Sequence, residues 1–373
     1  MRVLCLGGSN TVLKDGHADH LRSLFERYAQ DELMEFRNSA VGANSVFHGL
    51  QIALDMKDLQ QFDVIFLEYC VNDYTYVDDQ NRRSWTYAIE GLLRTLLQRC
   101  PAAKIFFVNF GRAIWVDSKR NQLRMYTRIA NLVEHYRSDH CVHVVEIDDY
   151  LRALSGGQKD IFFSFYQDET HYATPVVSAL IANVVFSSYL QTLISDSTSK
   201  TSLEKRNFFK GSFASLQAIP MCSLVQDQEI TVFKNSRYRI EGLRIDGGRT
   251  VEFVAPGGIV SLGFISAPGA GSMIVEEEGA LPVLIDCRHG AVDTGRFPFF
   301  IKNFPFSWKR WNNKADVVPR KVRIQVLRSG EQPVGRVRYP KRFGMLPGAS
   351  TEQATVYLSS ATFCESLAAD EYK

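Results

Sequence analysis

Short runs in the first half of this chain, residues 3–6, 64–67 and 105–108, are apolar without alternation, 142–147 is apolar except at His143 and Glu146, and a weaker run spans 33–36. Continuous apolarity is the mark of strands buried on both faces. Between the runs lie stretches with helical spacing, at 20–28, 46–56, 87–97, 123–136 and 176–193. The last of these keeps Val177, Leu180, Ile181, Val184 and Val185 near one face. Pro101 and Pro175 stand where helices should end or begin. Alternating strand and helix implies a parallel sheet covered on both sides, so residues 1–195 are expected to form a three-layer α/β domain.

A polar stretch of Ser, Thr, Asp and Lys over 195–202 reads as a linker, placed at 196–204. Beyond it helical periodicity nearly vanishes. Runs rich in Val, Ile and Phe, at 251–254, 259–265, 273–275, 283–285, 322–327 and 356–358, are separated by turns such as Asp246-Gly247-Gly248 and Pro256-Gly257-Gly258. A smaller all-β domain, sandwich or jelly-roll-like, is expected over 205–373.

Composition narrows the classes. At 373 residues two domains are the first expectation, and 45% hydrophobic with 23% charged residues is ordinary for a globular protein. A formal charge of +2 without a dense basic run does not indicate nucleic acid as a partner. The seven cysteines are odd in number and lack C-x-x-C pairing, which suggests buried thiols and not a disulfide framework. No leader is legible before the first apolar run, and no stretch of about 18 consecutive apolar residues occurs. The expected compartment is the cytoplasm, with no membrane span.

Candidate chemistry gathers where the predicted strands end, which is where open α/β sheets collect functional residues. Ser9 follows the first run in Gly7-Gly8-Ser9-Asn10 and suits an exposed nucleophile, though the same turn also fits a helix cap or a phosphate cradle. Gly42 follows the second run and can turn its amide towards an oxyanion; it also fits an ordinary loop glycine before a helix capped by Asn44 or Ser45. Asn72 follows the third run as a further donor, with Asp73 as a brace, or the two form a simple turn. Asp168 and His171 stand three apart before the last helix, a spacing that lets a carboxylate orient an imidazole; Asp168 alone also fits a cap.

Ser9, Gly42, Asn72 and the Asp168/His171 pair, in this order, resemble the four signature blocks of the SGNH (GDSL-type) hydrolases, over roughly residues 1–195. The resemblance implies a flavodoxin-like fold. It also implies Ser9 as nucleophile, His171 as general base and then acid, and Asp168 as its orienter. The amides of Ser9 and Gly42 with the Asn72 side chain would form the oxyanion hole. Gly8 replaces the aspartate of the usual Gly-Asp-Ser, Asn10 the usual leucine, and Cys70 stands where glycine is common.

Other chemistries are less well supplied. Gly-x-Ser-x-Gly, a Walker sequence and Gly-x-Gly-x-x-Gly are absent. His17/His20 and His140/Cys141/His143 lack a completing zinc set and read as packed or surface histidines, so no metal is expected.

Residues 297–311 concentrate aromatics beside Lys309 and Arg310. Trp308 and Trp311 are candidate sugar platforms, whereas Phe299, Phe304 and Phe306 suit a core or seam. The leading expectation is an acyl-ester hydrolase that removes O-acetyl groups from a carbohydrate and needs no cofactor. A sugar O-acetyltransferase using the same triad, with an acetyl-CoA-like donor, is the second reading. A catalytically inactive glycan- or partner-binding protein is the third.

Overall fold

The computed structural model describes residues 1–29, 32–74, 82–114, 120–194, 206–209, 212–225, 229–306, 319–331, 333 and 354–367. The expected linker, Trp308 and Trp311 lie outside the described residues. The chain divides into two units, Met1–Phe209 and Lys210–Lys373. The first thus runs past residue 205, because the backbone N–H groups of Phe208 and Phe209 donate to the buried carboxylate of Glu90.

In the first unit the apolar runs become β1 (Arg2–Gly7), β2 (Glu35–Asn38), β3 (Val64–Glu68), β4 (Lys104–Asn109) and β5 (Val142–Glu146). All are parallel, in the order β2-β1-β3-β4-β5. This is the flavodoxin-like order, whose reversal point lies at β1 and β3. The second strand starts two residues later than its apolar run suggests, and its residues are only half-buried, as suits a sheet edge.

Helices α1 (Ser9–Val12), α2 (His17–Tyr28), α3 (Val46–Asp55), α4 (Cys70–Asp73), α5 (Arg82–Arg99), α6 (Arg120–Arg137), α7 (Ile147–Leu154), α8 (Lys159–Ser164) and α9 (Val176–Ile194) follow in sequence. Side chains alternate across a strand, so Val3 and Cys5 face one layer and Leu4 and Leu6 the other. The first layer is a core built with Leu21 and Phe25 of α2 and Ile181, Val185 and Phe186 of α9. The opposite layer holds α3 packed on α5, and the Tyr136 hydroxyl of α6 donates to Glu90 of α5 (2.8 Å). By length and mean hydropathy (1.6) α9 would pass for a membrane span, a property its sequence did not reveal as one unbroken apolar run. Its Val177, Ile181, Val185 and Tyr189 are buried in the core of this unit.

The second unit is all-β in its sheets, as expected. Its strands are β6 (Phe213–Pro220), β7 (Ile230–Lys234), β8 (Arg239–Asp246), β9 (Thr250–Ala255), β10 (Gly258–Ser266), β11 (Ser272–Glu277), β12 (Val283–Asp286), β13 (Phe300–Pro305), β14 (Arg320–Val326) and β15 (Thr355–Leu367). One antiparallel sheet runs β13-β10-β15-β8-β7 with β6 also on β15, and the other β12-β11-β14-β9. Leu243, Leu262, Phe264, Val356 and Leu358 of the first sheet share one core with Val251, Met273, Val275, Ile285 and Ile324 of the second, which makes the unit a sandwich. Phe304 and Phe306 belong to that core and Phe299 is buried, so these aromatics fill space as expected. All seven cysteines are free thiols.

Candidate active site

The four sequence blocks converge at the carboxyl ends of β1, β2 and β3 and on the loop before α9. Ser9 is half-buried and opens α1, so its N–H has no acceptor within that helix. The turn beneath it is tied to β3: the Gly8 N–H donates to the Glu68 carbonyl (2.9 Å) and, more weakly, to Glu68 Oε2 (3.3 Å). Thr11 Oγ1 donates to the same carboxyl oxygen (2.9 Å). Burial pushes the Glu68 pKa up to about 8, against the pull of these two bonds, so the group is a neutral acid at neutral pH.

Gly42 lies in the loop after β2. That loop is drawn onto the nucleophile turn by the Val41 N–H, which donates to the Gly7 carbonyl (3.0 Å). Among the described residues no hydrogen bond engages the Gly42 N–H. Asn72, in α4, donates from Nδ2 to the Asn44 carbonyl (2.9 Å) and so links the third block to the same loop. The departure at position 8 has its explanation here: a Cβ on Gly8 would stand 1.9 Å from Asn72 Nδ2. Only glycine lets the amide sit this close to the residue before Ser9. Ser9 N–H, Gly42 N–H and Asn72 Nδ2 are thus borne on three segments laced together around one turn.

Asp73 braces, as its sequence position suggests. Its carboxylate accepts from the Val46 N–H and from Trp85 Nε1, both at 2.9 Å. It therefore caps α3 from a distance, while the Ser45 side chain makes no capping bond. Burial raises the Asp73 pKa to about 7, even though both bonds favour the charged form.

The Asp168 and His171 side chains meet. Asp168 Oδ1 accepts from the backbone N–H groups of Thr170 (2.8 Å) and His171 (2.9 Å), which curls the loop so that the imidazole returns over the carboxylate. His171 Nδ1 then lies 2.8 Å from Oδ2 and 3.0 Å from Oδ1. Because an ionised carboxylate only accepts, Nδ1 is the donor of this pair, and in the neutral ring Nε2 keeps its lone pair. Partial burial works to raise the Asp168 pKa, but the Thr170 and His171 bonds outweigh it and hold the group down to about 2. Asp168 caps no helix.

Sequence reasoning missed Asn10, which is 3% exposed and reaches across to the histidine loop. Its Nδ2 donates to the Thr170 carbonyl (2.8 Å) and its Oδ1 accepts from the Tyr172 N–H (3.2 Å). Among the described residues no hydrogen bond joins Ser9 Oγ to His171; the two loops meet through Asn10. Such catalytic bonds are commonly long before substrate arrives. Tyr172, fully buried, also accepts at its hydroxyl from the Gly111 N–H beyond β4 (2.8 Å). The Arg112 guanidinium lies 4.9 Å from the Tyr74 ring centre and 3.2 Å from Glu169 Oε2.

The remaining histidines are packed groups. His17 is buried edge-on against Phe110 (4.8 Å) and bonded to the Asn10 backbone, and burial lowers its pKa to about 4. His143 stacks on Phe106 (5.1 Å). Among the described residues no three His, Cys, Asp or Glu side chains gather as a metal would require.

No protein-family model matches this sequence, and no curated protein matches it. Solved structures do. A two-domain esterase active on acetylated mannans aligns with a TM-score of 0.65 and 14% identity, over 99% of this chain and 92% of that one. The same esterase co-crystallised with mannopentaose aligns over 100% of this chain, again with a TM-score of 0.65 and 14% identity. An acetyl xylan esterase aligns over 50% of this chain and 99% of its own, with a TM-score of 0.43 and 13% identity. The chain therefore has the fold of the two-domain esterase through both of its units.

Proposed function

We propose that this protein is a serine-dependent acyl-ester hydrolase that removes O-acetyl groups from a carbohydrate. The observation that carries the reading is the Asp168–His171 pair, with Nε2 free to act as base, tied through Asn10 to the turn bearing Ser9. Ser9 Oγ attacks the acetyl carbonyl as its proton passes to His171 Nε2. The oxyanion is held by the amides of Ser9 and Gly42 and by Asn72 Nδ2. Collapse breaks the ester bond, His171 returns the proton to the departing sugar oxygen, and acetyl-Ser9 remains. Water then attacks, giving its proton to Nε2, and acetate leaves as Ser9 regains a hydrogen. Asp168 stays ionised throughout and stabilises the imidazolium.

The carbohydrate half of the reading draws on the shared two-domain fold, since that esterase is described as active on acetylated mannans. Acetylated manno-oligosaccharide incubated with wild type and with Ser9→Ala is the test. Acetate release by wild type alone supports the reading. Equal release by both proteins, or none from acetylated manno- and xylo-oligosaccharides, overturns it. Acetyl-CoA consumption that requires a sugar acceptor would replace hydrolysis by transfer.

A further inference from the structure

Ser9 and His171 stand on loops separated by most of the first unit's sequence, yet a base must sit within a few tenths of an ångström of its working place. Both bonds that join the two loops, among the described residues, belong to one carboxamide. Asn10 Nδ2 donates to the carbonyl of Thr170 and Asn10 Oδ1 accepts from the N–H of Tyr172, the residues on either side of His171. The carboxamide thus fixes the His171 backbone at two points, from the residue next to the nucleophile.

Each end of the bridge is itself anchored. The Asn10 backbone is bonded by the buried His17 ring, which lies against Phe110. Thr11, the next residue, is bonded to Glu68. On the far side the Tyr172 hydroxyl accepts from Gly111, and its ring packs edge-on against the same Phe110 (5.1 Å). At 3% exposure, with both polar atoms engaged, Asn10 has nothing to offer a substrate directly. It acts through another residue.

We infer that Asn10 is the positioning residue that sets the distance between His171 and Ser9, so that its carboxamide governs turnover without touching substrate; this rests on Ser9 and His171 being nucleophile and base. A leucine has a similar branched shape and neither bond. Asn10→Leu should therefore lower kcat about 100-fold, the loss expected for a displacement near 1 Å, and leave KM within about twofold. Asn10→Asp keeps an acceptor for Tyr172. It regains a donor for Thr170 only when its buried carboxyl is protonated.

The experiment measures kcat and KM for acetyl-ester hydrolysis by the full chain from pH 5 to 8. Wild type, Ser9→Ala, Asn10→Leu, Asn10→Asp and Val185→Ala are compared; the last removes buried core volume in α9 and serves as a stability-lowered control. The expected result is a kcat-only loss in Asn10→Leu, wild-type kcat in Val185→Ala below its melting temperature, and an Asn10→Asp/wild-type ratio that rises on acidification. Wild-type kcat in Asn10→Leu, or an equal loss in Val185→Ala, overturns the inference. So does a pH-independent Asn10→Asp ratio, which decides the matter alone if the leucine variant does not fold. Retained activity in Ser9→Ala instead overturns the underlying reading of the site.

Discussion

Gly8→Ala adds one carbon at the place where the structure has least room for it. The new Cβ would lie 1.9 Å from Asn72 Nδ2, 3.1 Å from Asn72 Cγ and 3.6 Å from the Asn44 carbonyl oxygen. Gly8 has φ −97°, so the backbone does not itself require glycine. Ordinary contact begins at about 3.5 Å, so the amide must retreat by about 1.6 Å. That retreat breaks the 2.9 Å bond to Asn44, worth about 1 kcal/mol net. It also withdraws a donor from the oxyanion position, a loss of about 10²–10³ in kcat. The expected variant is folded, slightly less stable, nearly normal in KM, and about 100-fold slower on p-nitrophenyl acetate. Asn72→Ala should be as slow, and the double variant no slower than either alone, because both remove the same donor. Multiplicative losses in the double variant, or a Gly8→Ala kcat within twofold of wild type, would refute the assignment of Asn72.

Further outcomes are expected. His171→Ala should cost about 10⁶-fold in kcat and Asp168→Ala about 10⁴-fold, so steady-state rates that fall equally, or not at all, would contradict the dyad. Since Asp168 is held down to about 2, its contribution is present above the ordinary carboxylate range and lost only as pH falls through about 2, so Asp168 itself causes no rate loss between about pH 4 and 7. Glu68 is raised to about 8 by burial, so the folded state keeps a proton that the unfolded chain has released; this stability is full below about 4.3 and lost as pH rises towards 8. Glu68→Gln should accordingly show a flatter fall in Tm between pH 5 and 8 than wild type, whereas parallel curves would contradict a buried neutral carboxyl. In the second unit, Trp308→Ala with Trp311→Ala should weaken retention on immobilised mannan and spare p-nitrophenyl acetate hydrolysis; unchanged retention removes these residues from glycan contact.

What was legible in the sequence is what is written locally. Continuous apolar runs gave the buried strands, and Asp168 lies close enough to His171 for their side chains to meet through one turn of loop. Asn10 could not be read this way, because its partners are 160 and 162 residues distant and its own neighbours carry no trace of them. Gly8 replaces the usual aspartate, and only the position of Asn72 shows that the missing Cβ makes room for an amide. Glu68 closes an apolar strand, where a charged residue suggests solvent; the structure buries it under the nucleophile turn. In the second unit β8 escaped notice because charged and apolar residues alternate along much of it, and β7 because it is a short strand at the sheet edge with Ile230 and Val232 exposed. The short helices α1 and α4 have too few residues to show a period.

The central claim is that Ser9 carries the acyl group. Wild-type protein mixed with p-nitrophenyl acetate and quenched in acid within the first turnovers should yield, on peptide mass mapping, one acetyl group on Ser9. That adduct should accumulate further in a variant whose water step is slowed and be absent from Ser9→Ala. Acetate release with no acetyl on Ser9 under those conditions, or the same adduct on another residue in Ser9→Ala at the wild-type rate, would contradict the account.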